Sequence, residues 1–378
     1  MDTVLKNIKL EGDRTIWVVV FFLCIFSVIV VYSAVGIGDI FSHLLKLSIG
    51  IGGMYVIHKL KFKYFSRLGV LGFWFSIALL ILVMVIGVSI NGASRWLSIS
   101  GQRFQPSDIA KLSIILYTAR QLSKQRDFLG EFKGVIWYIL MPVLLICMLI
   151  LPANFSTAAL VFVNGLVLMF IAKINLKYIL GIVGIALFGG LLLYGTAKKY
   201  EPLMGEIMPR STTWVNRIDG FFSPSENYNL DEGHQSYQAK IAIHNGGIFG
   251  KGPGKSVQRY FLYSSHSDFI YAIMVEEYGM IIGAFLPILL YMILFFRAVK
   301  IANRSESQFG GLIASGLAFS LVFQAMINMA VAVGIMPVTG QTLPLISMGG
   351  TSILFTCITI GIILSVSRDS TDRNYEAV

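Results

Sequence analysis

The chain is poor in charged residues. Lys, Arg, Asp and Glu make up 13% of its 378 residues, whereas a soluble domain carries about 25%. Apolar residues make up 56% of the chain, and the mean hydropathy is +0.74. This composition excludes an ordinary soluble domain and is typical of a protein that crosses a membrane several times.

Cysteine is also scarce. The three cysteines, Cys24, Cys147 and Cys357, all lie within apolar runs. Disulfide frameworks and zinc sites need several cysteines at regular spacings, whereas single cysteines in apolar runs are packing residues. We therefore predict neither disulfides nor a cysteine-based metal site.

Acidic residues are too few to balance the basic ones. The chain has 20 Asp and Glu against 30 Lys and Arg, which gives a net charge of +10. In a soluble protein such an excess would suggest nucleic-acid binding. In a membrane protein it reflects Lys and Arg in the cytoplasmic connections, so we expect no nucleic-acid partner.

Long apolar runs, by contrast, are abundant. A membrane-spanning helix needs roughly 20 apolar residues, and about ten runs approach that length. The fourth run carries Lys111 and Arg120, and the eighth can break near Gly279. We therefore predict an all-α, polytopic integral membrane protein with about ten transmembrane helices. These helices are predicted at 16–36, 40–57, 68–90, 108–123, 134–151, 156–173, 177–196, 269–298, 309–333 and 346–367.

The basic residues predict the orientation. They cluster before the first run and after the second, fourth, sixth, eighth and tenth, whereas the connections 36–40 and 334–345 contain none. By the positive-inside rule, both termini are cytoplasmic. A large extracytoplasmic loop, about 198–267, then lies between helices seven and eight, and a single membrane domain covers residues 1–378.

Two features mark this outer loop. The stretch 235–244 has the pattern of a short amphipathic helix on the membrane surface. Five glycines between 246 and 254 follow it, and we predict a flexible run there. This run lacks the Walker spacing and follows no strand, which argues against a nucleotide site.

The first polar cluster contains Arg95, Arg103 and Lys111. Pro106 and Asp108 suit the first turn of a helix, so one interpretation of this cluster is a helix cap. Lys111, however, lies about one turn inside an apolar helix, where an ammonium group needs an anionic partner. Arg103 and Lys111 near a helix N-terminus would form a site for a phosphate or diphosphate.

The second polar cluster, at the joint between the outer loop and the eighth run, contains His266, Asp268, Glu276 and Glu277. Acids at a membrane boundary are costly unless they are used or paired. A structural interpretation makes Ser267 or Asp268 a helix cap and pairs Glu276 or Glu277 with a basic residue such as Lys111. The alternative makes Asp268 the catalytic group. His266 and Asp268 alone are weak support for a metal site.

The third cluster is an uncharged segment rich in Gly and Pro, 334–352, which includes Ser347 and Gly349. Irregular backbone at membrane depth is tolerated only against protein or a water-filled cavity. We therefore predict a broken or re-entrant start to the last helix, lining a site. Gln324 and Asn328 lie four residues apart on the preceding helix, so they face the same way and either bond between helices or touch substrate.

Together, these clusters resemble the SEDS family (shape, elongation, division, sporulation). The shared motifs are FQPSDIAK at 104–111, HSDFIYA at 266–272 with EEYG at 276–279, and PLISMGGTS at 344–352. The resemblance runs from the first predicted helix to the last. Within the family, 328–344 is closer to the division branch than to the elongation branch.

This resemblance implies a ten-helix peptidoglycan glycosyltransferase that polymerises lipid II outside the cytoplasmic membrane, for septal wall synthesis. It implies a class B penicillin-binding protein, a single-pass transpeptidase, as partner, together with other divisome proteins. The family's essential acid corresponds to Asp268 and its basic pair to Arg103 and Lys111. The further candidates for binding the lipid-linked sugar are Arg95, His266, Glu276, Glu277, Ser347 and Gly349.

Four positions depart from the family pattern. Asp108 stands where Glu is usual, and Lys240 is a charge where an apolar residue is commoner. Asn154 stands where Asp is usual, which argues against a carboxylate role after helix five. Met348 replaces a Tyr, which argues against a phenol at that position.

Three functions remain open at this point: a glycosyltransferase, a lipid II flippase or transporter, and a scaffold that recruits a transpeptidase. Buried Lys111, Glu276 and Glu277 also suit a transporter. Nucleotide sugars are cytoplasmic, so an enzyme with Asp268 outside needs a donor that crosses the membrane already activated, such as a lipid diphosphate sugar. Mg²⁺ or Mn²⁺ is compatible with a diphosphate, but no ligand set stands out.

Overall fold

The computed structural model describes residues 11–90, 93–99, 102–125, 127–200, 210–222, 230–263 and 265–376. In chain order the helices are α1 (Arg14–Val35), α2 (Ile37–Lys59), α3 (Lys63–Ile86), α4 (Pro106–Lys124), α5 (Phe132–Ile150), α6 (Phe155–Ile171), α7 (Leu176–Lys199), α8 (Ser211–Phe222), α9 (Leu230–Gly246), α10 (Ile270–Arg304), α11 (Gln308–Ala332) and α12 (Gly350–Glu376).

Eight of these helices are long and apolar enough to cross a membrane: α1, α2, α3, α5, α7, α10, α11 and α12. Helix α6 is apolar but has only 17 residues. Helix α4 has 19 residues and carries Asp108, Lys111, Arg120 and Lys124. The prediction of an all-α polytopic membrane protein is therefore confirmed. The count of ten spans, which needs α4 and α6 to cross as well, stays a prediction.

The helices pack as a bundle around α11. Helix α2 runs along α12, α3 along α4, and α10 along α11. In α11, 72% of the apolar stretch is buried inside the protein, against 11% in α7. Most side chains of α7 therefore face away from the protein, toward lipid. Helix α11 lies inside the bundle, so its polar side chains need partners in the protein.

A small antiparallel sheet in the connection between α3 and α4 was not predicted. Its strands are β1 (Val88–Ile90), β2 (Ala93–Ile99) and β3 (Gln102–Phe104), in the order β1-β2-β3. Helix α3 therefore ends at Ile86, although the predicted helix continued to residue 90. The chain leaves the apolar run as a strand, and the paired strands carry both arginines of the first polar cluster.

The predicted break in α10 is confirmed. The helix turns π-helical over Gly279–Phe285. Gly279 itself has φ +71°, in the left-handed region, which side chains other than glycine rarely adopt. A break of this kind leaves backbone groups without partners inside the helix, and at membrane depth those groups must be satisfied by other parts of the protein.

The partners come from the glycine clip, which we define as residues 246–254. Its backbone N–H groups at Lys251 and Gly252 donate to the carbonyl oxygens of Glu276 and Glu277, each at 2.9 Å. The prediction of a flexible run is therefore wrong, because these glycines let one backbone lie directly against another. The predicted surface helix precedes the clip and lies within α9.

Candidate functional site

The segment that joins α11 to α12 lies at the centre of the candidate site. This re-entrant segment, residues 333–349, has no regular helix, as predicted, and α12 begins at Gly350. Side chains of the neighbouring helices hold its backbone. Asn328 Nδ2 donates to the carbonyl of Gln341 at 2.6 Å, and Gln324 Nε2 donates to the carbonyl of Thr342 at 2.9 Å. Both side chains therefore bond to the segment that follows their own helix, and, within the described part of the chain, Gln324 alone also bonds to another helix, through Lys111 of α4.

Asp268 lies just before α10, and the backbone around it is fixed by α11 and by the same segment. Its own carbonyl accepts a hydrogen bond from Asn328 Nδ2 at 2.8 Å. The preceding carbonyl accepts one from Ser347 Oγ at 2.7 Å, and the carbonyl before that accepts one from the backbone N–H of Met348 at 2.9 Å. Three consecutive residues are thus held in place.

The side chain of Asp268 does not cap the helix. The N-cap of α10 is Phe269, without a side-chain cap, so the predicted capping role is wrong. One carboxylate oxygen accepts a hydrogen bond from Ser267 Oγ at 3.0 Å. The other lies 3.6 Å from the position that a Cβ would take at Gly340. The carboxylate therefore lies against the re-entrant segment.

The two strand arginines lie on opposite faces of the sheet. Arg95 alternates with buried Leu97 on the inner face, whereas Arg103 pairs with Ser98 and is exposed. The charge of Arg95 acts on Asp268. The Nε of Arg95 is buried and has no hydrogen-bond partner among the described residues. Of the two arginines in the first polar cluster, Arg95 is therefore the one whose side chain lies on the inner face of the sheet.

A further cation, Arg217 of α8, was missed by the sequence analysis. Its charge acts on both Asp268 and Arg95. Helix α8 lies in the long connection between α7 and α10, and the ring of its Trp214 lies 5.4 Å from the ring of Phe155 at the start of α6, tilted by 45°. Nothing in the local sequence distinguishes Arg217 from the other basic residues of that loop.

These surroundings tune the acid. Burial raises the pKa of Asp268, and the Ser267 hydroxyl, Arg95, Arg217 and His266 only partly offset this effect. Burial lowers the pKa of His266, so its imidazole is neutral at neutral pH. A carboxylate with a raised pKa is a stronger base once it is ionised, which suits proton abstraction.

Lys111 has the anionic partner that its position required. Its Nζ lies 3.0 Å from Asp108 Oδ1 and donates to Gln324 Oε1 at 3.3 Å. The second oxygen of Asp108 accepts a hydrogen bond from Thr351 Oγ1 at 2.9 Å. Pro106 occupies the first turn of α4 as predicted. Asp108, however, joins α4 to α12 and does not cap the helix.

A small pocket opens beside this ion pair, with a volume of about 40 Å³. Polar groups from α4, α11 and α12 face it, among them Lys111, Asp108 and Gln324. Asp268 and Arg103 are not part of its lining. Helix α11 links this pocket to Asp268. Gln324 lines the pocket, and Asn328, one turn further along the helix, donates to the carbonyl of Asp268.

Glu276 forms an ion pair with a basic residue, as the structural interpretation predicted, but that residue is Lys251 and not Lys111. Its carboxylate is fully buried; one oxygen lies 2.7 Å from Lys251 Nζ, and the other accepts from Ser256 Oγ and, at 3.2 Å, from the backbone N–H of Gln258. All of these partners belong to the glycine clip and the turn after it. Glu276 therefore ties the connection that follows α9 to α10.

Glu277 is also occupied by protein groups. It is 1% exposed, and its Oε1 accepts hydrogen bonds from Ser33 Oγ and, at 3.4 Å, from the backbone N–H of Ser256. These contacts join α1, α10 and the loop. Glu276 and Glu277 therefore connect α10 to neighbouring parts of the protein. Neither side chain lines the pocket beside Lys111.

Ser347 and Gly349 are buried parts of the re-entrant segment. The hydroxyl of Ser347 accepts from the backbone N–H of Leu343 at 2.7 Å while it donates toward the residue before Asp268. Among the positions that depart from the family pattern, Asn154 caps α6 by accepting from the N–H of Thr157 at 3.1 Å. An amide oxygen serves that purpose without a charge.

No metal centre is evident within the described ranges. Among those residues, no group of three or more His, Cys, Asp or Glu side chains converges. His266 and Asp268 are too few to form a protein-built site.

The protein is thus a bundle of membrane-spanning helices with a polar site among them, in which Asp268 lies against the re-entrant segment. The sequence profile of the FtsW/RodA/SpoVE cell cycle protein family matches residues 13–372. The chain belongs to this family, and it is a multi-pass protein of the cytoplasmic membrane.

Relatives and solved structures agree with this assignment. A protein of Geobacter sp. (strain M18) named "Probable peptidoglycan glycosyltransferase FtsW" is 33% identical over 374 residues, which cover 95% of this chain and 98% of the relative. A Coxiella burnetii protein of the same name is 31% identical over 337 residues, or 87% and 86% of the two chains. The predicted resemblance to the division branch is confirmed.

Two solved structures share the fold. A chain from a peptidoglycan synthase complex that couples polymerization and crosslinking superposes with a TM-score of 0.75 at 25% identity, covering 96% of this chain and 99% of that one. The rod shape determining protein RodA of Thermus thermophilus superposes with a TM-score of 0.70 at 24% identity, covering 95% and 98%.

Proposed function

We propose that this protein is a peptidoglycan glycosyltransferase that polymerises lipid II into glycan strands at the outer face of the cytoplasmic membrane. The observation that carries the proposal is Asp268, a carboxylate whose pKa is raised by burial and whose surrounding backbone is fixed by α11 and the re-entrant segment. A fixed base beside cationic groups is what glycosyl transfer from a lipid diphosphate needs. The relatives' names support the same activity.

In the proposed reaction, Asp268 accepts the proton of the acceptor's 4-hydroxyl group while that oxygen forms a bond to the donor's anomeric carbon. The bond between that carbon and the diphosphate breaks with inversion, and its electron pair leaves with the lipid diphosphate. A positioned base contributes about 10²–10⁴-fold to such a step. Arg103 and Lys111 are proposed to stabilise the leaving diphosphate, and Arg95 and Arg217 to orient Asp268.

The partner and the place of action are part of this proposal. A class B penicillin-binding protein would cross-link the strands that this protein makes, with other divisome proteins at the division septum. The likeness to a chain of a peptidoglycan synthase complex supports a partnership of this kind, and the FtsW-named relatives support the division role over the elongation role.

The decisive experiment supplies fluorescent lipid II to purified protein in proteoliposomes, with and without the cognate single-pass transpeptidase. We expect glycan polymer on gels, because the donor is already activated. If lipid II only moves between leaflets, the protein is a flippase. If neither polymer nor movement is seen and Asp268→Ala still supports growth, the protein is a scaffold.

Lys111 tests the diphosphate part of the proposal. Lys111→Met removes the ammonium group and leaves the buried carboxylate of Asp108 without its 3.0 Å partner. We expect polymerisation to fall by about 10²-fold or more, since electrostatic groups of this kind contribute on that scale. Lys124→Met, at the exposed end of the same helix, is the matched control and should keep wild-type activity. Equal activity of the two variants would place the diphosphate elsewhere.

A further inference from the structure

A buried polar pair lies between α1 and α2, away from the groups assigned to the reaction. Ser27 and His43 are both 0% exposed, and Ser27 Oγ lies 2.8 Å from His43 Nε2. The same hydroxyl lies 2.9 Å from the carbonyl oxygen of Ile346 in the re-entrant segment. Polar side chains at this depth are costly unless they have a purpose.

The chemistry of the three groups determines the direction of both hydrogen bonds. A carbonyl oxygen can only accept, so the single proton of Ser27 is donated to Ile346. His43 Nε2 must then be the donor to Ser27. This leaves His43 Nδ1 as a bare acceptor, and that buried nitrogen has no hydrogen-bond partner among the described residues. The pair is therefore a directed chain from α2 through α1 to the re-entrant segment.

The backbone at the end of this chain is strained. Leu345 has φ +65°, in the left-handed region, where a branched side chain is unfavourable. Such a conformation persists only when the surroundings impose it. The carbonyl that Ser27 holds belongs to the next residue. One position further on, Ser347 donates to the carbonyl preceding Asp268 at 2.7 Å.

We propose that Ser27 and His43 are positioning residues for Asp268. They hold the Ile346 carbonyl, keep the left-handed turn at Leu345, and so direct Ser347 to the backbone beside the acid. The inference rests on the proposed glycosyltransferase function for its kinetic consequence. Its structural consequence, the ordering of the re-entrant segment, does not depend on that function.

The kinetic test measures kcat and KM for lipid II polymerisation separately. A displacement of about 1 Å can cost about 10²-fold, so Ser27→Ala and His43→Leu should each lower kcat by about ten- to a hundredfold, with KM within about twofold of wild type. Because both residues act in one chain, the double variant should be no worse than the poorer single variant.

Conservative variants separate positioning from packing. Ser27→Thr keeps the hydroxyl, and His43→Gln keeps an N–H donor near the position of Nε2, so both should retain most of the wild-type kcat. Ser76→Ala is the matched control, because Ser76 is also 0% exposed but, among the residues that the structure describes, bonds only to Gly72 of its own helix. Ser76→Ala should match wild type in kcat.

A second measurement is independent of catalysis. In hydrogen exchange of the purified protein, Ser27→Ala should speed exchange at the Met348 amide by about tenfold or more, because local opening of the segment becomes easier, whereas Ser76→Ala should not. Unchanged exchange and unchanged kcat in Ser27→Ala would overturn the inference. So would a loss in Ser27→Thr and His43→Gln as large as in Ser27→Ala and His43→Leu. If wild-type protein makes no polymer, the proposed function fails, and hydrogen exchange alone decides the inference.

Discussion

Asp268→Asn should lower the rate of lipid II polymerisation by about 10²–10⁴-fold, the contribution of a positioned general base. Asparagine keeps the size of the side chain and can still accept from Ser267 Oγ, which lies 3.0 Å from the carboxylate. It cannot accept the proton of the acceptor hydroxyl. Asp127→Asn, at an exposed aspartate outside the site, is the matched control and should keep its rate. Normal strand synthesis by folded Asp268→Asn protein would refute the assignment.

The same acid predicts a pH dependence. The rate should rise with pH as Asp268 ionises, because only the carboxylate accepts a proton. Burial raises the pKa of this group, so the acid limb of kcat/KM should lie above the ordinary aspartate value of about 3.9. The Ser267 hydroxyl opposes that shift. Ser267→Ala should therefore move the limb to still higher pH, and a limb that moves to lower pH would contradict the assignment.

Gly250→Ala should prevent the glycine clip from docking on α10. Gly250 has φ +79°. A Cβ there would overlap the carbonyl of Glu277 and lie 2.6 Å from the backbone nitrogen of Gly279. Relief needs a shift of two packed backbones, so we expect destabilisation of more than about 4 kcal/mol, in the range reserved for severe steric changes.

Gly247→Ala provides the matched control for this variant. Gly247 also has a positive φ, +53°, but nothing lies within 4 Å of its Cβ position. Gly247→Ala should lower the free energy of unfolding by only about 1 kcal/mol, the penalty for a left-handed residue other than glycine. Thermal unfolding in detergent, followed by tryptophan fluorescence, distinguishes the two. Equal melting temperatures would mean that the clip is not packed as described.

Several features of the site were predictable because they depend on local chemistry. The need of Lys111 for an anion follows from an ammonium group inside an apolar helix. The break near Gly279 and the irregular start of the last helix follow from the backbone conformations that glycine permits and from the N–H group that proline lacks. Motif resemblance adds Asp268, which no physical argument from the sequence separates from Glu276 and Glu277.

Other features depend on contacts between distant parts of the chain. The partner of Glu276 is Lys251, not Lys111, because the glycine clip folds back onto α10. Arg95 faces inward and Arg103 outward because of a strand register that the apolar pattern did not reveal. The directed chain from His43 ends 303 residues later in the sequence, at the Ile346 carbonyl.

The sequence by itself determined that this is a multi-pass membrane protein. Each long apolar run is long enough to span the membrane, and the free energy of transferring its side chains from water to lipid is a sum over that run alone. It also determined which polar groups would need partners at membrane depth. Only the tertiary structure decided which partners those groups have. Directed hydrogen bonds and ion pairs depend on distances of a few ångströms between helices, and those distances are set by packing of the whole bundle.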